Sequence, residues 1–173
     1  MDSGASGRSA IFFDRDGVLN VDHGHVHRYE NFDWVEGARE AIVAAGRQGH
    51  LVIVVTNQAG IAKGYYDEPT FQELMRRVRE DVVEAGGKID DVYFCPHHPE
   101  GLGEWRQVCD CRKPMPGMLL RAFAEHGIDP SRSFLIGDMP TDIQAATAAG
   151  VRSVLFQGGN VYETLVAVGA LTK

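Results

Sequence analysis

Short unbroken apolar runs alternate along this chain with longer stretches whose apolar residues recur every three to four positions. Ala10 to Phe13 runs directly into Asp14-Arg15-Asp16-Gly17, Leu51 to Val55 into Thr56-Asn57-Gln58, and Ser133 to Ile136 into Gly137-Asp138. Runs of this length, closed by turn residues, predict strands buried on both faces of a parallel sheet. Asp91 to Phe94 and Val151 to Phe156 read as two more strands, and the first strand is placed at Ala10 to Asp14. Between them, the 3.6-residue period predicts helices over Gly37 to Gln48, Pro69 to Ala85, Pro116 to His126 and Pro140 to Ala149. A last short helix begins near Asn160, with Glu163 placed for a capping box. Strands alternating with helices predict a doubly wound α/β domain with a mainly parallel sheet. Winding 1-2-3 to one side and 4-5 to the other gives the strand order 5-4-1-2-3.

Two segments lack periodicity. One is Gly17 to Asp33, a polar flap carrying His23, His25 and His27; the other is Cys95 to Met115. Structureless loops of that length usually have a function. No repeat or linker divides the 173 residues, so a single domain over 1–173 is expected, preceded by a disordered polar leader over 1–9.

Composition removes several function classes. Hydrophobic residues make up 44% and charged residues 24%, and the formal charge is −7. That balance disfavours a nucleic-acid binder, which needs a basic face. The longest aliphatic run, Leu51 to Val55, is far too short to span a bilayer. Three cysteines, odd in number and confined to one segment, argue for a reducing compartment, here the cytoplasm. A monomer is expected.

The chemistry gathers at strand ends, where open parallel sheets bind their ligands. Asp14 and Asp16 alone could punctuate a turn, Thr56-Asn57 could be another, and Asp138 could cap the helix from Pro140. Together they place three carboxylates at the point where the strand order reverses. Three acids there repel one another unless a cation such as Mg²⁺ neutralises them. Separately, Cys95, His97, Cys109 and Cys111 supply a closed set for tetrahedral Zn²⁺, with His98 competing for the place of His97. The alternative is three idle thiols. A site without an open position would be structural, pinning the loop over 95–115 and setting Arg112 and Lys113 beside the strand ends.

Phe13-Asp14-Arg15-Asp16-Gly17, Thr56-Asn57, Lys113 and Gly137-Asp138-x-x-x-Asp142 resemble the four motifs of the haloacid dehalogenase (HAD) superfamily of phosphatases. The resemblance implies an aspartyl-phosphate mechanism in which Asp14 attacks phosphorus and Asp16 handles the proton. It further implies that Thr56 and Asn57 donate hydrogen bonds to the phosphoryl oxygens and that Lys113 neutralises their charge. One catalytic Mg²⁺ would be held by Asp14, Asp138 and the backbone carbonyl of Asp16, with Asp142 behind these ligands.

The flap Asp22-His23-Gly24-x-Val26-His27, Thr56-Asn57-Gln58-x-Gly60 and the zinc-loop sequence through Cys109-Asp110-Cys111-Arg112-Lys113-Pro114 are similar to the cap-less heptose 1,7-bisphosphate 7-phosphatase family. By that resemblance the substrate is a small phosphorylated sugar used for nucleotide-activated heptose and lipopolysaccharide. Asp22, His23, His27, Gln58 and Arg112 would contact it. The alternating histidines are also open to a metal-binding or a merely exposed reading. Histidinol-phosphate phosphatases share the zinc loop and are the alternative; a non-catalytic zinc-stabilised module is the third reading. Met139 stands where many of the heptose bisphosphate enzymes have Lys.

Overall fold

The computed structural model describes residues 6–173. The expected leader falls partly outside them, at residues 1–5. From Arg8 onward the chain is already tied down: Arg8 exchanges backbone hydrogen bonds with Gly127 and Asp129, and Ser9 O accepts from Leu51 N at 2.9 Å. The expected disorder therefore does not extend to Arg8 and Ser9.

Five strands form one parallel sheet: β1 (Ala10–Phe13), β2 (Leu51–Asn57), β3 (Asp91–Cys95), β4 (Phe134–Gly137) and β5 (Arg152–Leu155). Their order is β3-β2-β1-β4-β5, the expected order read from the other edge. β1 lies at the centre, with Phe13 opposite Val54 on one side and Ile136 on the other. The helices are α1 (Ala38–Arg47), α2 (Ala59–Ala62), α3 (Glu68–Glu84), α4 (Gly117–His126), α5 (Pro140–Ala149) and α6 (Val161–Ala167). Neither the segment after β1 nor the one after β3 holds an inserted domain; they contain 3₁₀ turns at Tyr29–Asn31 and Gly103–Trp105 and isolated bridges such as Asn20 with Trp34 and His98 with Arg106. The fold is thus the cap-less α/β arrangement expected.

Alternation along β1 divides the core into two layers. Ile11 and Phe13 face α1, α3 and α6, where they join Ile42, Phe71, Leu74 and Leu165. Ala10 and Phe12 face α4 and α5, where they join Leu119, Ala122 and Ala146. Burying β1 on both faces removes its backbone from water and leaves only its carboxyl end accessible. Each fully buried Phe or Leu stabilises the fold by about 1.5–3 kcal/mol relative to exposure, which fixes where that end points.

The helix ends match their residue chemistry. Asp67 caps α3, accepting from Thr70 N at 3.0 Å, and Asn160 caps α6, accepting from Glu163 N at 3.0 Å. Gly127 ends α4 in the left-handed region (φ 62°), which residues with a Cβ reach only with strain. The flap is anchored rather than loose. Tyr29 Oη and Trp34 Nε1 both donate to Asp81 of α3, at 2.7 and 2.9 Å. Val26 and Phe32 are buried against the core.

Candidate active site

The carboxyl ends of β1, β2 and β4 open into one cavity of about 250 Å³. Asp14, Asp16, Asn57, Gln58, Lys113 and Asp138 all line it, together with Asp22 and Asp142. Asp14 follows the last residue of β1, and its N–H still donates to Ile136 O at 3.1 Å, continuing the sheet by one rung. Its Oδ1 accepts from Arg15 N and from Lys113 Nζ, both at 2.9 Å. That grip orients the other oxygen of the carboxylate.

Lys113 reaches this point from the long loop. Its Nζ also donates to Val55 O at 2.9 Å and pairs with Asp142 Oδ1 at 2.5 Å, so all three of its donors are used. Burial works against the Lys113 charge, but Asp14 and Asp142 more than offset it and hold the ammonium above its ordinary range. Lys113 is therefore a fixed cation. Its backbone is clamped by Asn57, whose Oδ1 accepts from Lys113 N and whose Nδ2 donates to Lys113 O.

Three carboxylates converge. Asp14, Asp138 and Asp142 each offer an oxygen within 4.8 Å of the others'. Burial is the main cause that raises Asp14 well above the usual carboxylate range, and the neighbouring Asp142 charge adds to it. Burial likewise raises Asp138. Asp138 Oδ1 is buried without a hydrogen-bond partner. A hard divalent cation would supply that partner and offset the crowding, so the residues fit Mg²⁺. Asp142 is otherwise engaged: its Oδ1 holds Lys113, and its Oδ2 accepts from Met139 N at 3.0 Å in the first turn of α5. Two glycines make the approach possible. A Cβ at Gly17 would fall 2.0 Å from Asp138 Oδ2, and one at Gly137 would fall 2.3 Å from Asp142 Cβ.

The Asp16 carboxylate lies outside this cluster and has its own donors. Oδ1 accepts from Arg15 Nη2 at 2.7 Å and Asn20 Nδ2 at 3.1 Å, while Oδ2 accepts from Gln58 Nε2 at 3.2 Å. Arg15 is fully buried and also donates to the flap carbonyl of Val26 at 2.6 Å. Thr56 Oγ1 accepts from Gln58 Nε2 at 2.8 Å.

The flap residues divide. Asp22 lines the cavity and turns the chain by accepting from Gly24 N at 2.9 Å. His23 pairs instead with Asp33 at 2.7 Å, on the exposed side. His27 Nδ1 donates to His25 O, and its ring stacks on Tyr66. Neither His23 nor His27 lines the cavity; His25 does. Arg112 is not among the lining residues either, and its Nη1 lies 3.4 Å from His97 O. Tyr66, Met139 and Thr141 line the cavity although the sequence did not single them out as contacts. Tyr66 follows the short helix α2, whose four residues carry no periodic signal.

A second cluster sits where β3 ends. Cys95, His97, Cys109 and Cys111 present four donor atoms within 4.8 Å of one another. Cys111 Sγ lies 3.0 Å from Cys95 Sγ, 3.3 Å from Cys109 Sγ and 3.4 Å from His97 Nδ1. His98 is turned away, its Nδ1 accepting from Glu100 N. Burial raises the Cys95 thiol, a penalty that a thiolate-binding cation would offset. The donor set fits a tetrahedral zinc ion with no open position. Gly117 keeps the loop closed: a Cβ there would meet Asp110 O at 2.2 Å.

The chain is similar to known proteins over most of its length. A HAD-hydrolase-like family model matches residues 110–167. D-glycero-beta-D-manno-heptose-1,7-bisphosphate 7-phosphatase of Pasteurella multocida is 45% identical over 148 residues, covering 86% of this chain and 80% of that protein. The Escherichia coli protein of the same name is 47% identical over 143 residues, covering 82% and 75%. A crystal structure of D,D-heptose 1,7-bisphosphate phosphatase from B. bronchiseptica, complexed with magnesium and phosphate, superposes with a TM-score of 0.79 at 32% identity, covering 95% of this chain and 89% of that one. The chain belongs to the heptose-1,7-bisphosphate 7-phosphatase family of HAD-like hydrolases, and it is a phosphoric monoester hydrolase.

Proposed function

We propose that this enzyme removes the 7-phosphate of D-glycero-D-manno-heptose 1,7-bisphosphate through a covalent phosphate on Asp14. The observation that carries the reading is the convergence of Asp14, Asp138 and Lys113 at the end of β1, in a chain whose relatives bear that activity in their names.

Asp14 attacks phosphorus with a carboxylate oxygen; an O–P bond forms as the P–O bond to C7 of the sugar breaks. Asp16 gives its proton to the departing sugar oxygen, then takes one from the water that attacks the phospho-aspartate. Phosphate leaves and Asp14 is restored. Lys113 places a fixed positive charge beside Asp14, where negative charge gathers on the phosphoryl oxygens. Asn57 borders the same space and also acts through its clamp on Lys113, whereas Thr56 is not among the lining residues and acts through Gln58, whose Nε2 donates to its Oγ1. Asp14, Asp138 and the Asp16 backbone carbonyl would hold Mg²⁺, which would supply positive charge to offset the repulsion of the anionic substrate. Asp142 keeps Lys113 in place.

Cys95, His97, Cys109 and Cys111 would bind one structural Zn²⁺, pinning the loop that delivers Lys113. Asp22 and His25 face the cavity and contact the sugar. Gln58 acts on Asp16; His23, His27 and Arg112 support the flap and zinc loop from outside the cavity. The enzyme would work as a monomer and in the cytoplasm, where thiols stay reduced. Its product would enter nucleotide activation for lipopolysaccharide synthesis.

The test is phosphate release, with Mg²⁺, from the α and β heptose bisphosphates and from histidinol phosphate. The reading expects the largest kcat/KM on one of the bisphosphates. Turnover of histidinol phosphate alone would overturn it.

A further inference from the structure

The donors around Asp16 are unequal. Oδ1 is saturated by Arg15 Nη2 and Asn20 Nδ2, whereas Oδ2 accepts one longer bond from Gln58 Nε2 at 3.2 Å. Oδ2 is thus the oxygen with room for a proton. Gln58 is 2% exposed and both ends of its amide meet protein groups, so its orientation is decided by those neighbours. An ionised Asp16 can only accept. The Gln58 amide nitrogen must therefore face it, and Gln58 Oε1 must face the other way. There it meets the Tyr66 hydroxyl, which donates to it.

We propose that Tyr66 is a positioning residue for proton transfer: its hydroxyl fixes the orientation of the Gln58 amide, and Gln58 in turn holds the proton-bearing oxygen of Asp16. Gln58 Nε2 also donates to Thr56 Oγ1 at 2.8 Å, but a hydroxyl can accept from the amide nitrogen or donate to the amide oxygen and so does not choose between the two orientations. Without the Tyr66 hydroxyl the amide can turn its oxygen toward Asp16, where it repels the carboxylate instead of holding it. The inference rests on the phosphatase reading above.

Two further observations support it. Burial pushes the Tyr66 hydroxyl up to about 12, so it stays protonated and able to donate at neutral pH. The ring itself is seated from both sides. It stacks on His27 of the flap, with centroids 4.9 Å apart and planes 12° from parallel. It also lies against Gly60, where a Cβ would fall 2.3 Å from Tyr66 Cε1. Tyr66 thereby joins the flap to Asp16 Oδ2, while Arg15 Nη2 joins the flap carbonyl of Val26 to Asp16 Oδ1. Both oxygens of the acid are referred to the seated flap.

The step concerned is the departure of the alcohol. The Asp14–phosphorus bond forms, the bond from phosphorus to the sugar oxygen breaks, and the proton passes from Asp16 Oδ2 to that oxygen. An alkoxide needs this proton; p-nitrophenolate, a stable anion, leaves without it. Tyr66→Phe keeps the ring and its stacking but removes the hydroxyl. The expected result is a kcat on heptose bisphosphate lowered on the order of tenfold, the worth of one hydrogen bond to a charged network, with KM within about twofold. On p-nitrophenyl phosphate, kcat/KM should fall less than about threefold. In a Gln58→Leu background, Tyr66→Phe should cost nothing more, because its route to Asp16 is already cut.

Three results would overturn the inference: equal losses on both substrates, a raised KM with kcat intact, or additive losses in the double variant. Absence of phosphate release from either compound by the unaltered enzyme, loaded with Mg²⁺, would instead overturn the phosphatase reading and this inference with it.

Discussion

Asn57, the last residue of β2, and Lys113, in the long loop after β3, hold each other by a reciprocal pair of hydrogen bonds. Lys113 N donates to Asn57 Oδ1 at 3.0 Å, and Asn57 Nδ2 donates to Lys113 O at 3.1 Å. The pair docks the long loop onto the end of β2 at the residue whose ammonium touches Asp14. Asn57→Ala removes both bonds and should cost about 2 kcal/mol of stability, at roughly 1 kcal/mol each. It should also lower kcat/KM about 100-fold, since a displacement near 1 Å at a catalytic group has that effect. Chemical denaturation and steady-state kinetics on the same variant check both effects.

Lys113→Met leaves Asp14 and Asp142 buried with no cation between them. Breaking a buried pair in this way costs about 3–5 kcal/mol. The loss should be visible in the metal-free protein and smaller with millimolar Mg²⁺, because a bound cation takes over part of the neutralisation. Thermal melts with and without Mg²⁺ measure the difference, and phosphatase activity should be absent in both conditions.

Asp14→Asn should abolish turnover but raise the melting temperature of the metal-free protein. Burial disfavours the ionised Asp14, while the amide keeps an oxygen for Lys113 Nζ. The sign in pH follows from the raised folded-state value. Above that value, ionised Asp14 subtracts fully from stability. As pH falls through the raised value the penalty shrinks, and below the ordinary carboxylate value it is gone. The advantage of Asp14→Asn over the unaltered protein should therefore be greatest at neutral pH and shrink on acidification. Melts across that range test it.

Freshly purified, reduced protein should contain about one zinc per chain, retained under mild chelation that strips Mg²⁺. Cys109→Ser should lose zinc and activity together, because the loop that presents Lys113 is then unpinned. Elemental analysis beside the activity assay decides this; unchanged zinc and unchanged rate in Cys109→Ser would contradict it.

Much of this site could be read from the chain. β1, β2 and β4 announce themselves as apolar runs, and polar residues just past each run line the cavity: Asp14 after β1, Asn57 and Gln58 at the end of β2, and Asp138 after β4, though Thr56 does not. The metal-loop cluster was equally legible, because Cys95, Cys109 and Cys111 are the only cysteines in the chain and cysteines have few roles. The flap was not. His23, His25 and His27 alternate, and in an extended segment they would share one face. Instead Gly24 (φ 85°) and His25 (φ 46°) both adopt the left-handed region, so the alternation breaks. His23 turns to Asp33, His27 to Tyr66, and His25 alone reaches the cavity. Arg15 was hidden for a different reason. A charged residue between two acids reads as solvated, yet it is fully buried: Asp16 and the Val26 carbonyl satisfy its Nη2, while its Nε and Nη1 are buried without a hydrogen-bond partner. α2 and Tyr66 escaped because four residues of Ala59-Gly60-Ile61-Ala62 carry no period to detect.

The central claim is that Asp14 takes the phosphate from C7 of the heptose and leaves the one on C1. Phosphorus NMR of D-glycero-D-manno-heptose 1,7-bisphosphate, incubated with the enzyme and Mg²⁺, tests it directly. The account predicts that the C7 phosphomonoester signal disappears, the anomeric phosphate signal persists, and inorganic phosphate grows in equal amount. Loss of the anomeric signal first, or a spectrum that does not change, would contradict it.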